Sequence, residues 1–378
     1  MKTHPAGVSV VQVNYGFDKD LADPDALLDR YTTLTNWSDA LAAAGAARVS
    51  VVQRFHRRAR VIRNGIEYRF VDRELPRAVA ATGAEVAHVN GLTFSLSTWK
   101  LRRTLPRPTA IVVQNHADGG AVGRAPLLRL LGRLTRSVVD AFLFAADEHA
   151  APWRRAGFIA PGQPTYQVME ASTNVQPVNR AAARAQSGVD GSPALLWVGR
   201  LNANKDPLTV LDGFERSLSA LPAAAVTMIY TSEDMLPAVH ERIARSAVLK
   251  ERVRLVGTVP HARLPAFYSA ADLFVLGSHH EGSGYALMEA SACGAVPVVT
   301  DIPTFRLLTD GGAVGALWTP GDAAGLERAL VDVCSRDLFS ERARVIDRFA
   351  RNWSWPSIGR RAIEIYEDVR RRRLEHVR

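Results

Sequence analysis

Two glutamates eight positions apart bracket the stretch Glu281-Gly282-Ser283-Gly284-Tyr285-Ala286-Leu287-Met288-Glu289. Glycines at 282 and 284 let backbone N–H groups approach an anion closely, and a helix starting near Gly284 would aim its unpaired amides at the same point. The loop therefore suits a phosphate. With about 1.5 Å of rise per helical residue, the two carboxylates stand at most about 12 Å apart, a span that reaches opposite ends of a nucleotide sugar. One acid would hold the transferred sugar and the other the ribose. The plainer alternative is a pair of solvated acids around an ordinary strand-to-helix turn, and the neighbouring segments weigh against it.

Before the loop, residues 272–278 read as a buried strand ending in small residues, and after it Cys293-Gly294 stops the helix ahead of a second apolar strand at 295–300. Strand, glycine loop, helix and strand in this order build a parallel-sheet unit, whose ligands sit beyond the carboxyl ends of the strands. The N-terminal half repeats the theme. Short apolar runs at 8–13, 49–52, 86–89, 110–113, 141–144 and 166–169 alternate with helical stretches, which predicts a parallel, doubly wound sheet. Residues 171–193, with Asn174, Pro177, Gly191 and Pro193, read as a linker, and a second series of strands begins at 195–198. From 353 to 373 the spacing of Ile358, Ala362, Ile365 and Tyr366 predicts a helix, capped by Ser354.

Residues 194–318 resemble the C-terminal domain of a retaining glycosyltransferase of the family 4 type, glycosyl transferases group 1. The matching motifs are Glu281 with Glu289, then Gly199-Arg200-Leu201 with Lys205, Val256-Gly257-Thr258-Val259, Leu264 with Tyr268, and Ala271-Asp272-Leu273-Phe274-Val275. The resemblance implies the α/β fold called GT-B: two Rossmann-like, doubly wound parallel-sheet domains facing a cleft, with a C-terminal helix crossing back to the first. The corresponding boundaries are 1–175 for an acceptor-side domain, 190–350 for the nucleotide-sugar-binding domain, and 351–378 for the terminal helix.

The resemblance also implies roles. Arg200 and Lys205 hold the diphosphate, the first as a fork and the second as a point charge. Gly282, Ser283, Gly284 and Tyr285 form the phosphate loop, and Glu289 accepts the ribose hydroxyls. Glu281 orients the sugar and offsets charge developing at its anomeric carbon. Backbone groups of Gly257, Thr258 and Val259 border the nucleobase. His116, after the strand at 110–113, orients the sugar from the first domain, with His88 as its rival. No metal and no cofactor beyond a nucleoside-diphosphate sugar, the donor substrate, is implied. Asn14-Tyr15-Gly16-Phe17-Asp18-Lys19-Asp20 has one glycine where many relatives have a glycine-rich loop, and Asp18-Lys19-Asp20 reads as a solvated loop rather than a metal-binding pair.

Composition bounds the partners. At 378 residues, 47% hydrophobic and 22% charged, the chain is of ordinary globular make-up and long enough for two domains. It has no apolar run of transmembrane length, and residues 1–5 lack the apolar core of a signal peptide, so a cytoplasmic protein with Cys293 and Cys334 reduced is expected. The net charge is +9, and arginines gather at Arg54, Arg57, Arg58, Arg60, Arg63, Arg102, Arg103 and Arg107. No nucleic-acid-binding motif accompanies them. Helix 125–139 carries Arg129, Arg133 and Arg136 along one face, with Leu127, Leu128, Leu131, Leu134 and Val138 mainly elsewhere. It reads either as a helix covering the sheet or as one docked peripherally on an anionic membrane, at its inner face. Competing functions are a glycoside hydrolase, which needs the two acids within about 10 Å on one bond, a nucleotide-sugar epimerase, and a binding-only subunit.

Overall fold

The computed structural model describes residues 7–116 and 126–377. The chain folds as two units, Met1–Ser172 with Trp355–Arg378, and Thr173–Ser354. In the first, eight strands form one sheet: β1 (Ser9–Asn14), β2 (Arg48–Arg54), β3 (Ala59–Arg63), β4 (Ile66–Val71), β5 (Val86–Asn90), β6 (Ala110–Gln114), β7 (Ala141–Phe144) and β8 (Thr165–Gln167). Their order is β3-β4-β2-β1-β5-β6-β7-β8. Every pairing is parallel except β3 with β4. The central strands are valine- and alanine-rich runs buried on both faces, as a covered parallel sheet requires.

The antiparallel β3–β4 hairpin is absent from the sequence reading, which takes this stretch as a basic face. Its signal is present: Asn64-Gly65, both at positive φ, joins β3, where partly exposed and exposed residues alternate, to β4, where buried and partly exposed residues alternate. The arginines here are largely neutralised. Arg57 pairs with Asp23, Arg58 with Glu74, Arg60 with Glu67, and Arg63 with both Asp25 and Asp29.

The terminal helix Trp355–Val377 buries Ile358, Ala362, Ile365 and Tyr366 within this first unit, packed on the helix Thr32–Ala43. The two helices approach closely. A Cβ on Gly359 would lie 2.3 Å from the carbonyl oxygen of Ala40, so glycine sets the spacing.

The second unit is a six-stranded, fully parallel sheet of β9 (Ala194–Gly199), β10 (Ala225–Tyr230), β11 (Val253–Gly257), β12 (Leu273–Leu276), β13 (Val296–Thr300) and β14 (Ala316–Trp318). Their order is β11-β10-β9-β12-β13-β14. The stretch read as linker contains a helix, Arg180–Ser187. Asn179 caps its start and Gly188, at φ 63°, ends it. Arg180 and Arg184 fasten that helix to Asp272 at the foot of β12. An N-cap asparagine and a C-terminal glycine are legible signals, outweighed in the sequence reading by the surrounding prolines and glycines. Among the described residues, no helix is long and apolar enough to cross a membrane.

Candidate active site

Each sheet reverses its direction of winding at one gap, and such a gap opens a crevice at the carboxyl ends of the strands. In the second unit the chain runs from β9 outward to β10 and β11, then returns to place β12 on the other side of β9. The loops leaving β9 and β12 therefore meet. They are fastened by backbone and amide bonds: Asn204 Nδ2 donates to His280 O at 3.0 Å, His280 N donates to Asn204 Oδ1 at 3.1 Å, and His279 N donates to Asn204 O at 2.8 Å. Gly277 permits the approach, since a Cβ there would stand 3.0 Å from Asp206 O and 3.2 Å from Lys205 O.

Lys205 and Glu281 face each other across this gap and form an ion pair. Their side chains are 16% and 13% exposed, so the pair is shielded yet reachable. The acid's backbone is held as well: Thr304 Oγ1 donates to the carbonyls of Glu281, at 2.8 Å, and Gly282, at 2.9 Å. The helix begins at Tyr285, with Gly284 as its N-cap at φ 68°. As a glycine, Gly284 has no side chain with which to cap that end. Ser283 is buried and Tyr285 is 45% exposed.

Glu289, one turn further along the helix, is buried and accepts hydrogen bonds at both oxygens. His261 Nε2 lies 2.7 Å from Oε1, and Tyr268 Oη donates to Oε2 at 2.9 Å. Burial, reinforced by the Glu289 charge, pushes the Tyr268 phenol well above its ordinary range, so it remains a donor. His261 follows the loop after β11, where Gly257 takes φ 78°, Thr258 Oγ1 donates to Tyr230 O at 3.2 Å, and Val259 is half-buried. The His261 contact thus ties the stretch expected to border a nucleobase to the acid expected to hold a ribose. Arg200 is exposed just past β9, and no acid among the described residues pairs with it.

In the first unit the winding reverses between β1 and β5. Asn14, Asn90 and Gln114 stand in register at the carboxyl ends there. Asn90 Nδ2 donates to Asn14 Oδ1 at 2.7 Å, and His116 Nε2 lies 2.8 Å from Asn90 Oδ1. The other imidazole nitrogen is 3.0 Å from Glu170 Oε2, a carboxylate whose residue is only 6% exposed. His88, the rival, is fully buried within β5. Its Nδ1 is 2.6 Å from Tyr366 Oη, to which Trp37 Nε1 also donates. That histidine locks the terminal helix to the sheet.

The sequence reading gave no role to His261, Tyr268, Thr304, Asn204, Asn90 or Glu170. Only Tyr268 lay within a quoted motif. Asn90 ends β5 and Glu170 lies in the bend after β8, single residues far apart in the chain that no local pattern announces. Asp18 is engaged by Tyr31 Oη at 3.1 Å and by its own turn, through Asp20 N at 3.0 Å.

Residues 179–353, close to the whole second unit, match the family model for glycosyl transferases group 1. The GDP-mannose:cellobiosyl-diphosphopolyprenol alpha-mannosyltransferase of Xanthomonas campestris is 28% identical over 240 residues, 62% of this chain and 60% of that protein. The D-inositol 3-phosphate glycosyltransferase of Geodermatophilus obscurus is 28% identical over 62% of this chain and 52% of its own length. This chain thus spans between half and two thirds of these relatives. The sucrose-phosphate synthase of Thermosynechococcus elongatus superposes with a TM-score of 0.67 at 18% identity, over 96% of this chain and 99% of that one. Anabaena Alr3699/HepE in complex with UDP and glucose gives 0.65 at 14% identity, over 95% and 100%. The second unit, with its motif residues at the strand-order reversal, thus matches glycosyl transferases group 1, and the two Rossmann-like sheets of the chain share the GT-B fold of these solved structures.

Proposed function

We propose that the protein is a retaining, metal-independent glycosyltransferase that moves a hexose-type sugar from a nucleoside-diphosphate sugar to an acceptor hydroxyl. The observation that carries this reading is the shielded Lys205–Glu281 pair at the β9/β12 gap, beside a helix start that no side chain caps. An unliganded diphosphate site needs a resting partner for its cation, and Glu281 provides one.

In this reading the donor's diphosphate draws Lys205 away from Glu281 and adds Arg200 and the helix amides as further donors. Breaking the bond between the anomeric carbon and the phosphate oxygen puts negative charge on the leaving group, and groups already aimed there stabilise it. These cations and amides take the place of a divalent ion. Released from Lys205, the Glu281 carboxylate orients the sugar hydroxyls and faces the oxocarbenium-like carbon. Glu289 accepts the ribose hydroxyls, the backbone of 257–259 borders the base, and His116 orients the sugar. The acceptor oxygen bonds to the anomeric carbon on the face the phosphate leaves, and its proton passes to the departing phosphate. The chemistry is assigned to the cytoplasm, in keeping with two free thiols.

A thermal-shift panel of nucleoside diphosphates and their sugars tests the reading. A ligand at about a hundred times its Kd should stabilise the fold by about 2.7 kcal/mol, and excess chelator should leave both that shift and turnover intact. Indifference to every diphosphate would remove the proposal.

A further inference from the structure

Glu289, in the helix Tyr285–Ala292, keeps only 10% of its side chain exposed, and an acid so enclosed requires hydrogen-bond donors. Two side chains supply them, one to each oxygen: Tyr268 Oη donates to Oε2 at 2.9 Å, and His261 Nε2 lies 2.7 Å from Oε1. An ionised carboxylate only accepts, so the imidazole nitrogen facing it carries the hydrogen.

The two donors are held in opposite ways. Tyr268 is fully buried in the helix Leu264–Ala270, with its ring 6.0 Å from that of Phe274 in β12. The His261 side chain is 70% exposed and opens a short 3-10 turn, His261–Arg263, directly after the loop that leaves β11. A contact made by so exposed a group adds little to stability. Its effect falls on the acid.

The last torsion of a glutamate is broad, with no narrow staggered well to fix the plane of its carboxylate. A donor at Oε2 alone lets that plane swing; a second donor at Oε1, arriving from a different segment of the chain, sets it. An ionised carboxylate offers about four lone-pair sites. With one taken on each oxygen, the remaining sites point in directions that Tyr268 and His261 impose. Two acceptors of fixed direction on neighbouring oxygens match two hydroxyls on neighbouring carbons. A sugar that lacks one of those hydroxyls leaves a shielded acceptor unmet, and the site discriminates against it.

We infer that His261 is a positioning residue that, acting through Glu289, makes the nucleotide site selective for a ribose with both hydroxyls over a deoxyribose. Unlike Lys205, which leaves Glu281 when the diphosphate enters, His261 stays on Oε1 in the loaded site. This inference rests on the donor-site reading proposed above, and adds to it the substrate feature that the acid reads, an intact diol, and the residue that sharpens the selection.

Calorimetric titration of the full chain with GDP, UDP and ADP, and with their 2′-deoxy and 3′-deoxy counterparts, tests it. The wild type should prefer the ribose form of the base it binds by about tenfold or more. His261→Ala should keep the melting temperature, weaken the ribose form about five- to tenfold and leave the deoxy forms within about twofold, so that the preference collapses. His261→Gln, which retains an N–H of similar reach, should restore most of it. Equal losses for ribose and deoxyribose forms, a preference that His261→Ala leaves intact, or one that His261→Gln does not restore would each overturn the inference while diphosphate binding stands. Failure of every diphosphate to bind the wild type would overturn the donor-site reading and this inference together.

Discussion

The gaps between β9 and β12 and between β1 and β5 are the same topological feature, furnished differently. In the second unit the polar groups come as acid–cation and acid–donor pairs, Lys205 with Glu281 and Glu289 with His261 and Tyr268, drawn from the loops and helices after three strands. In the first they form a chain of neutral amides ending in a histidine and a buried carboxylate: Asn14, Asn90, His116 and Glu170. Movable cations suit a ligand whose charge changes during reaction. Amides and an imidazole in fixed register suit hydroxyls, whose recognition rests on direction rather than charge. The fold supplies the crevice in both units; the side chains decide what enters it.

The largest effect that would sharpen this contrast is at Glu281. Glu281→Ala should lower kcat by about a thousandfold, the upper end for loss of one group aimed at transition-state charge, while nucleoside diphosphate affinity changes little. Lys205→Ala should weaken both, because its contact with the phosphates forms on binding. Equal, mild losses from both variants in steady-state kinetics and ligand titration would erase the proposed division of labour. Glu289→Ala comes next. It strands the fully buried Tyr268 hydroxyl without its acceptor and removes the ribose partner, so calorimetry should show nucleoside diphosphate affinity down by about 1–3 kcal/mol, roughly five- to 150-fold.

The first unit's cluster should respond less. His116→Ala is expected to reduce kcat/KM for the donor by about tenfold, the equivalent of one neutral hydrogen bond. Glu170→Gln keeps an acceptor for the imidazole and should cost only a few-fold by the same reasoning. If Glu170→Gln matched His116→Ala, the carboxylate charge rather than the orientation of the ring would matter, and the contrast between a crevice of movable cations and one of fixed, direction-setting groups would fail.

Legibility followed the same divide. The second unit's site is spelled by runs of neighbouring residues, Glu281 to Glu289 and Gly199 to Lys205, because one loop and one helix start carry most of its groups. Strand runs such as 86–89 and 110–113 were equally plain, since strands buried on both faces must be apolar throughout. What escaped were features that depend on distance in the chain: Glu170 meeting His116 and Thr304 bracing Glu281 arise only after the sheet closes. The Asn64-Gly65 hairpin is different in kind, a legible turn set among arginines whose charge is the stronger local signal. For helix 125–139 the leucines alone leave two orientations open, and it is Gly132, which carries no hydrophobic weight in a periodicity, that marks the inner face of Pro126–Thr135.

The smallest predicted effect concerns the histidine that does no chemistry in either crevice. His88 is enclosed by β5, Trp37 and Tyr366, and burial, with a smaller contribution from the His116 charge, depresses its pKa to about 3. In the unfolded chain an imidazole titrates near 6.5. The unfolded state therefore binds the extra proton first, so the neutral, buried form contributes stability that is present above about pH 6.5 and is lost progressively as pH falls toward 3. Between about pH 6 and pH 5 the loss should be about 1 kcal/mol from this group, read as a drop in urea midpoint at constant slope. His88→Gln should lower stability at neutral pH and flatten that part of the profile. The His116→Ala variant, altered at the partly exposed crevice histidine, should retain most of the slope. If it flattened the profile as much as His88→Gln, the acid sensitivity would belong to the crevice, and the division between a structural histidine inside the sheet and a functional one at its edge would not hold.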